Sequence, residues 1–469
     1  MSYSLIKLIA KILLFSMSFC ATIYLLLSVD EEGFEYVWLL PLSFGLCFFL
    51  LCEAIERGRL ILFYSFFTGV SFLRYVLGPF LLCYSNDYYG KIMYAHPSIF
   101  ALHTATYLMV FELIACSLFI YLLSKKNSSM HNPSDDLILP RSYFVYICFI
   151  FLALLFVLFN PKILLFFSFG IWGMNEIDIS TLTPIAQITI MLAISGKFIL
   201  FWILLSAIKN QHDKSNFKFV WVTLAFIVTF LLGFIYYGGN RAQFLFSLIT
   251  SFYLFALFFP KLKGFIIITS LFFGTIVISF ITDQRNYFDY YSYEKGGKNI
   301  VLNTSQAITA YLGGLTNVAI GVDMTERYSD RNKVEQLVKD IILPIVGLNK
   351  IIPFENKEMS NTLFNYTFFN SRNNYSQILP SIAHGYFLGG MFFSVIIDFV
   401  QLLFVFYLIF LLKRTHRMEL VFIFNIVLFR FSLMFGQNIT QQINGIAMQL
   451  MLPMSVYWLN NRFSLTRKE

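Results

Sequence analysis

Four residues combine a reactive side chain with a place at the edge of an apolar run: Arg241, Arg285, Arg372 and His384. Arg241 closes the string Tyr236-Tyr237-Gly238-Gly239-Asn240-Arg241, and another apolar segment follows at once. In a mostly lipid-spanning chain, a cation at such a junction must face water, protein or an anionic ligand, because hydrocarbon cannot compensate its charge. Arginine suits a phosphate or pyrophosphate, since its planar guanidinium stays ionised and makes two parallel charge-assisted hydrogen bonds. Gly238 and Gly239 let backbone approach a ligand closely, and the start of the next helix offers N–H groups to an anion. An arginine at a helix end also reads as an anchor that snorkels toward lipid headgroups, but anchoring needs no glycine pair. For Arg372 both readings stay open. His384 lies in Leu379-Pro380-Ser381-Ile382-Ala383-His384-Gly385-Tyr386-Phe387-Leu388-Gly389-Gly390. A histidine there serves either as a general base near pH 7 or as a hydrogen-bonded strut between helices, and the glycines permit tight helix packing.

The elements that position these residues follow from composition. The 469 residues are 58% hydrophobic, 19% aromatic and 13% charged, with a mean hydropathy of +0.70, outside the range of soluble domains. Apolar stretches of about 20 residues, enough to cross a bilayer as helix, recur from Leu5 to Leu459. The expected fold is an all-α, polytopic integral membrane helix bundle of about twelve spans: Leu5 to Leu27, Tyr36 to Ala54, Leu60 to Cys83, Ser98 to Leu123, Ser142 to Asn160, Pro184 to Ile208, Phe217 to Tyr237, Ala242 to Phe259, Gly264 to Ile281, Leu379 to Leu412, Leu420 to Gln437 and Gln442 to Asn460. The organisation is then residues 1–281 with the first nine spans, a polar loop over 282–378, and 379–469 with the last three spans and a tail.

The net charge of +8 comes from short Lys/Arg clusters between apolar runs rather than from one amphipathic face, which argues for topology signals and against nucleic acid. Placing those clusters inside puts both termini in the cytoplasm and the 282–378 loop outside, in a bacterium the periplasm. The loop is rich in Tyr and Phe, unlike a flexible linker. Its aromatic tract from Tyr287 through Tyr291 to Tyr293 fits either stacking on a sugar ring or the ordinary aromatic belt at a membrane surface. Val334, Leu337, Val338, Ile341 and Ile342 keep the spacing of one helical face, with Ser329 or Asp330 as N-cap and Pro344 as terminator. Such a helix lies on the membrane or on the bundle.

Charges inside expected spans are Arg74, Glu112, Lys197, Asp398 and Arg430. Each is costly unless paired or facing an aqueous cavity, so Arg74 with Glu112 and Lys197 with Asp398 are candidate ion pairs, or else they line a substrate path. Outside, Glu176, Asp178, Asp283, Asp289, Asp323 and Glu326 are acidic candidates that spacing does not rank. The six cysteines lack metal-ligand spacing, and no phosphate loop, dinucleotide fingerprint or Asp-x-Asp is present. No metal or cofactor is expected.

With Gly238-Gly239-Asn240-Arg241-Ala242 closing one helix and opening the next, a long outer loop late in the chain, and Ser360-Asn361-Thr362 followed by Pro380 and Gly385 to Gly390, the sequence resembles the O-antigen repeat-unit polymerases, the Wzy-type family. Arg285 with Gly296 is similar to a periplasmic-loop pattern of some members, but no second copy appears at Arg327, Arg331 or Arg372. The resemblance implies a GT-C-like membrane fold and an inverting glycosyltransferase with a periplasmic active site. Its donor would be a growing glycan on undecaprenyl pyrophosphate and its acceptor one lipid-linked oligosaccharide repeat unit, with a chain-length regulator and a flippase as further partners. With that chemistry, position makes Arg241, Arg285 and His384 the catalytic candidates, the arginines to hold the donor pyrophosphate and His384 or a loop carboxylate to deprotonate the acceptor hydroxyl, and Gly238, Gly239, Asn240, Arg372, Asn361 and Tyr291 the substrate-binding ones. A flippase or transporter of the same lipid-linked oligosaccharide, and an O-antigen ligase, are the competing expectations.

Overall fold

The computed structural model describes residues 3–466 apart from 58–60, 90–95, 127–136, 170–182, 238–240, 263, 265–299, 346–347, 349–351, 353, 355–356 and 371–376. The described chain is all-α except for one pair of three-residue strands. Five of its helical segments are long and apolar enough to cross a membrane: Lys11–Ser28, Phe63–Tyr84, Ile99–Lys125, Ile185–Lys214 and Ser381–Arg414. Shorter apolar helices cover Leu39–Ala54, Phe144–Phe159, Lys218–Gly233 and Phe244–Phe258. This is the architecture of a multi-pass membrane protein. The expected span from Gly264 to Ile281 lies outside the described residues apart from Gly264.

The chain divides into two compact units. The first comprises Met1–Met130, Tyr291–Ile409 and Arg430–Asn444, and the second His131–Tyr290, Phe410–Phe429 and Gly445–Glu469. In chain order the helices are α1 (Tyr3–Ser28), α2 (Leu39–Arg57), α3 (Ile61–Phe72), α4 (Gly78–Tyr84), α5 (Ile99–Lys126), α6 (Phe144–Phe159), α7 (Pro184–Lys214), α8 (Lys218–Gly233), α9 (Arg241–Phe258), α10 (Ile300–Leu312), α11 (Leu315–Arg327), α12 (Lys333–Ile342), α13 (Ser360–Phe369), α14 (Ser381–Arg414), α15 (Met418–Phe431), α16 (Ile439–Gln449) and α17 (Met451–Thr466).

In the first unit α5 is the central element, packed by α2 and by α11. Several hydroxyls inside the helices bond back to the preceding turn, as Thr22 does to Ser18, Ser71 to Phe67 and Thr106 to Leu102, which satisfies them without water. Between α3 and α4 a π turn over Leu73–Leu77 carries Arg74 and Tyr75. Arg74 Nη1 lies 2.6 Å from Glu112 Oε2, both side chains being fully buried. Tyr75 donates to the same oxygen at 2.6 Å and Arg74 Nε to the Gly313 carbonyl at 3.0 Å. The Arg74–Glu112 pair expected from sequence is therefore present.

Two expectations are corrected in this unit. The run from Leu379 to Leu412 is not one straight span, because Gly390 has φ +74° and Gly389 is also non-helical. The chain turns there, so residues 381–388 fold back along 391–414, and a Cβ on Gly385 would stand 2.5 Å from the Ser394 carbonyl oxygen. Glycine is required at the turn for its positive φ and at Gly385 for the close approach. The second correction concerns α12. Its N-cap is Asn332, whose Oδ1 accepts from Val334 and Glu335 N–H groups at 3.1 and 3.2 Å, not Ser329 or Asp330.

In the second unit α7 packs against α6 and α8, α8 against α9, and α17 against α6 and α7. Thr183 caps α7, accepting from Ala186 N, with Pro184 at the first helical position, where its missing N–H is harmless. β1 (Phe167–Phe169) pairs antiparallel with β2 (Ile235–Tyr237), Phe167 opposite Tyr237. Lys197 Nζ, whose expected partner Asp398 belongs to the first unit, donates to the Ile235 carbonyl at 2.7 Å and to Ser247 Oγ at 2.8 Å. A primary ammonium can be satisfied by neutral oxygens, so burial alone did not demand a carboxylate.

Candidate functional site

The richest polar site in the first unit surrounds His384. The short helix over 381–388 is pinned at its start, where Ser381 Oγ donates to Asp398 Oδ1 at 2.5 Å and accepts from Gln401 Nε2 at 3.0 Å. Its flank rests on α11, where a Cβ on Gly321 would stand 2.5 Å from the Ala383 Cβ. One turn beyond Ser381, His384 is fully buried, with Nε2 2.9 Å from Asp340 Oδ2 on α12.

Asp340 gathers three elements. Beside His384 it accepts from the backbone N–H of Ser360 at 2.8 Å and from Ser360 Oγ at 2.5 Å. It thereby satisfies the first turn of α13, where a carboxylate also meets the positive end of the helix dipole. Because a carboxylate only accepts, it selects the histidine tautomer with the proton on Nε2, and Nδ1 is left as an acceptor. That Nδ1 is buried and has no hydrogen-bond partner among the described residues. An unmet buried nitrogen costs about 1–3 kcal/mol, and as an acceptor it could take a proton from a hydroxyl brought to it.

Asn361 belongs to the same region. Its Oδ1 accepts from Leu379 N–H at 2.9 Å and from Asn438 Nδ2 at 3.3 Å, while Asn365 bonds both the N–H and the carbonyl of Gln377 at 3.0 and 2.8 Å. The two asparagines clamp the extended segment that leads into the His384 helix. Of the acidic candidates, Asp323 accepts from Ser98 N–H and Oγ at 3.0 and 2.7 Å and so caps α5.

In the second unit Arg241 opens α9, and its side chain lies outside the described residues. So do Gly238, Gly239, Asn240, Arg285, Tyr291 and Arg372. What is described are the elements on either side of residues 238–240: β2 ends at Tyr237, α9 begins at Arg241, and Lys197 from α7 bonds both, through Ile235 and Ser247. Among the described residues no carboxylate pairs with Lys197: two neutral oxygens accept from its Nζ, which also lies 4.7 Å from the centre of the Phe198 ring.

Sequence reasoning singled out His384, and separately the Ser360-Asn361-Thr362 string, but missed Asp340, which binds His384 to Ser360. The available signal was an acid at position 340, one residue before the apolar pair Ile341 and Ile342, on a helix expected to lie in or near lipid. Among the described residues no three His, Cys, Asp or Glu side chains group as a metal site would. Comparison with protein-family models, with characterised proteins and with solved structures finds no match to this chain.

Proposed function

We propose that the chain is an O-antigen-type repeat-unit polymerase, a metal-independent inverting glycosyltransferase of the bacterial inner membrane. In this reading it has about twelve spans, a GT-C-like bundle, cytoplasmic termini and a periplasmic site. The observation that carries it is the Asp340–His384 pair, with one imidazole nitrogen fixed by a carboxylate and the other buried and, among the described residues, unengaged. That is the arrangement a general base needs.

The acceptor hydroxyl of a lipid-linked repeat unit gives its proton to His384 Nδ1 as its oxygen attacks the anomeric carbon of the donor glycan. The bond from that carbon to the pyrophosphate oxygen breaks, and undecaprenyl pyrophosphate leaves with the electron pair. Arg241 and Arg285 neutralise the charge that develops on it, with Arg372 and the Gly238-Gly239-Asn240 backbone as further contacts and Tyr291 against a sugar. Lys197 bonds the elements on either side of residues 238–240. A chain-length regulator and a flippase are expected partners in the membrane.

The transporter reading draws on intramembrane charges, of which Arg74 and Glu112 are bound to each other and to Tyr75 and Gly313, while Arg74 Nη2 and Glu112 Oε1 have no partner among the described residues. The ligase reading shares the chemistry and differs in the acceptor. Glycan length in cells tests the proposal: Arg241→Ala should abolish long chains and Arg241→Lys should restore them only in part, since lysine lacks the bidentate fork. Unchanged long chains from a stably expressed Arg241→Ala protein would reject it. Loss of all transfer to the lipid A core in a deletion strain, instead of loss of lengthening alone, would favour the ligase.

A further inference from the structure

Helix α12 is turned opposite to a helix in water. Its buried side chains are Gln336, Lys339 and Asp340, whereas Val334, Val338 and Ile341 on the other side are 73%, 39% and 36% exposed. At spacings of four and three residues these three form a single stripe.

The polar side cannot roll outward without losing its partners. Asp340 is bound by Ser360 and His384, and Gln336 Nε2 donates to the Glu358 carbonyl at 3.0 Å. At the helix start Lys333 Nζ donates to the Tyr328 carbonyl at 2.7 Å and lies 3.9 Å from the centre of the Phe387 ring. Burial holds the Lys333 ammonium below its ordinary value, Asp330 opposing. The apolar side is thus presented outward by construction.

What lies beside it identifies the occupant. Phe387 precedes by a few residues the turn into 391–414, and that segment carries its own exposed stripe: Met391, Phe392, Ile396, Val400, Leu403 and Tyr407, from 44% to 86% exposed. A stripe of this length on a helix long enough to span faces acyl chains. The α12 stripe begins next to its upper end, the end opposite Lys413 and Arg414.

We infer that α12 is an in-plane interfacial helix whose Val334–Val338–Ile341 edge is seated in the acyl boundary of the phospholipid bilayer, while its polar side holds His384 from the protein side. A helix that lies in the interface with its apolar face toward the chains is a recognised membrane element. The inference does not depend on the glycosyltransferase reading. It also makes the membrane surface a support of the His384 site, because Asp340 and Val338 lie on opposite sides of one helix.

The test uses the full-length protein in phosphatidylcholine/phosphatidylglycerol vesicles that contain a phospholipid with a clickable acyl chain. A benzoylphenylalanine at 338 should cross-link lipid with a yield within about twofold of the same group at 400 on the spanning segment, and well above one at the exposed Asp330. A yield at the Asp330 level, or capture of a second polypeptide in place of lipid, would overturn the inference. A second reading does not need the bulky probe. Val338→Asp is nearly neutral on a water-facing surface but should lower the unfolding midpoint clearly in vesicles, whereas Val338→Leu should not. A Val338→Asp midpoint equal to the parent's in vesicles would contradict the proposal, whatever the glycan assay reports.

Discussion

Lys197 and His384 are both basic side chains enclosed by apolar helices, yet the two regions hold them by opposite means. Lys197 is cradled by a carbonyl and a hydroxyl, so its nitrogen is hydrogen-bonded but, among the described residues, paired with no carboxylate. His384 faces a carboxylate that is itself tied to a helix N-terminus. The neutral cradle satisfies the Lys197 nitrogen without a carboxylate, on the two elements that flank residues 238–240, where the proposal needs an anion held. The acidic partner fixes a tautomer and frees a nitrogen, where the proposal needs a proton taken. Burial of a base is common to both regions, and the chemistry of the partner decides what each can do.

Breaking the acidic side should have the largest effect. Asp340→Ala removes the acceptor for three donors at once and should destabilise the protein by about 1–3 kcal/mol for each donor left buried and unsatisfied, seen as a lower unfolding midpoint. Asp340→Asn keeps the volume but can donate to Nε2, which reverses the tautomer. It should cut polymerisation by on the order of 10²–10⁴-fold with a smaller stability loss. Next comes Gly385→Ala, whose methyl would meet the Ser394 backbone. Overpacking of that kind costs about 1–3 kcal/mol, and activity should fall with it as the His384 helix shifts.

The neutral cradle sharpens the comparison with a smaller effect. Lys197→Met should destabilise by about 1–3 kcal/mol, because the Ile235 carbonyl and Ser247 lose a donor, and should lower polymerisation by about tenfold, equivalent to 1.4 kcal/mol in the barrier. Lys197→Arg should recover part of the rate if charge is what matters. The smallest effect belongs to an exposed pair. Glu35 lies 2.8 Å from His103, and that hydrogen bond, with the Gly33 N–H, holds its carboxyl below the ordinary value. Glu35→Gln should therefore cost no more than about 1 kcal/mol at pH 7. Because the folded value is depressed, that difference is complete above the ordinary carboxylate range and vanishes as pH falls through the lowered one, which unfolding midpoints at several pH values would record.

The spans were legible because hydrocarbon imposes a length and an apolar composition on every crossing. Arg74 and Glu112 could be paired from sequence because each alone is prohibitive in lipid. The same logic says less of Lys197, since it states that a partner is needed without stating its kind. Gly389 and Gly390 were read as packing residues, and pattern alone does not separate a glycine that lets two helices touch from one that lets the chain turn back. Asp340 escaped because a polar residue on an amphipathic helix is read as facing water. On α12 the polar side faces protein, and the periodicity that defines the two sides does not say which is which.

The account stands or falls on whether His384, poised by Asp340, takes the acceptor's proton. The direct measurement is the rate of multimer formation by purified protein in vesicles supplied only with the lipid-linked repeat unit, followed across pH for the parent, Asp340→Asn and a folded His384→Gln. The expected result is a ladder from the parent without nucleotide or metal, none from His384→Gln, and for Asp340→Asn a rate lowered on the order of 10²–10⁴-fold. A His384→Gln protein that builds the same ladder at the parent's rate would contradict it.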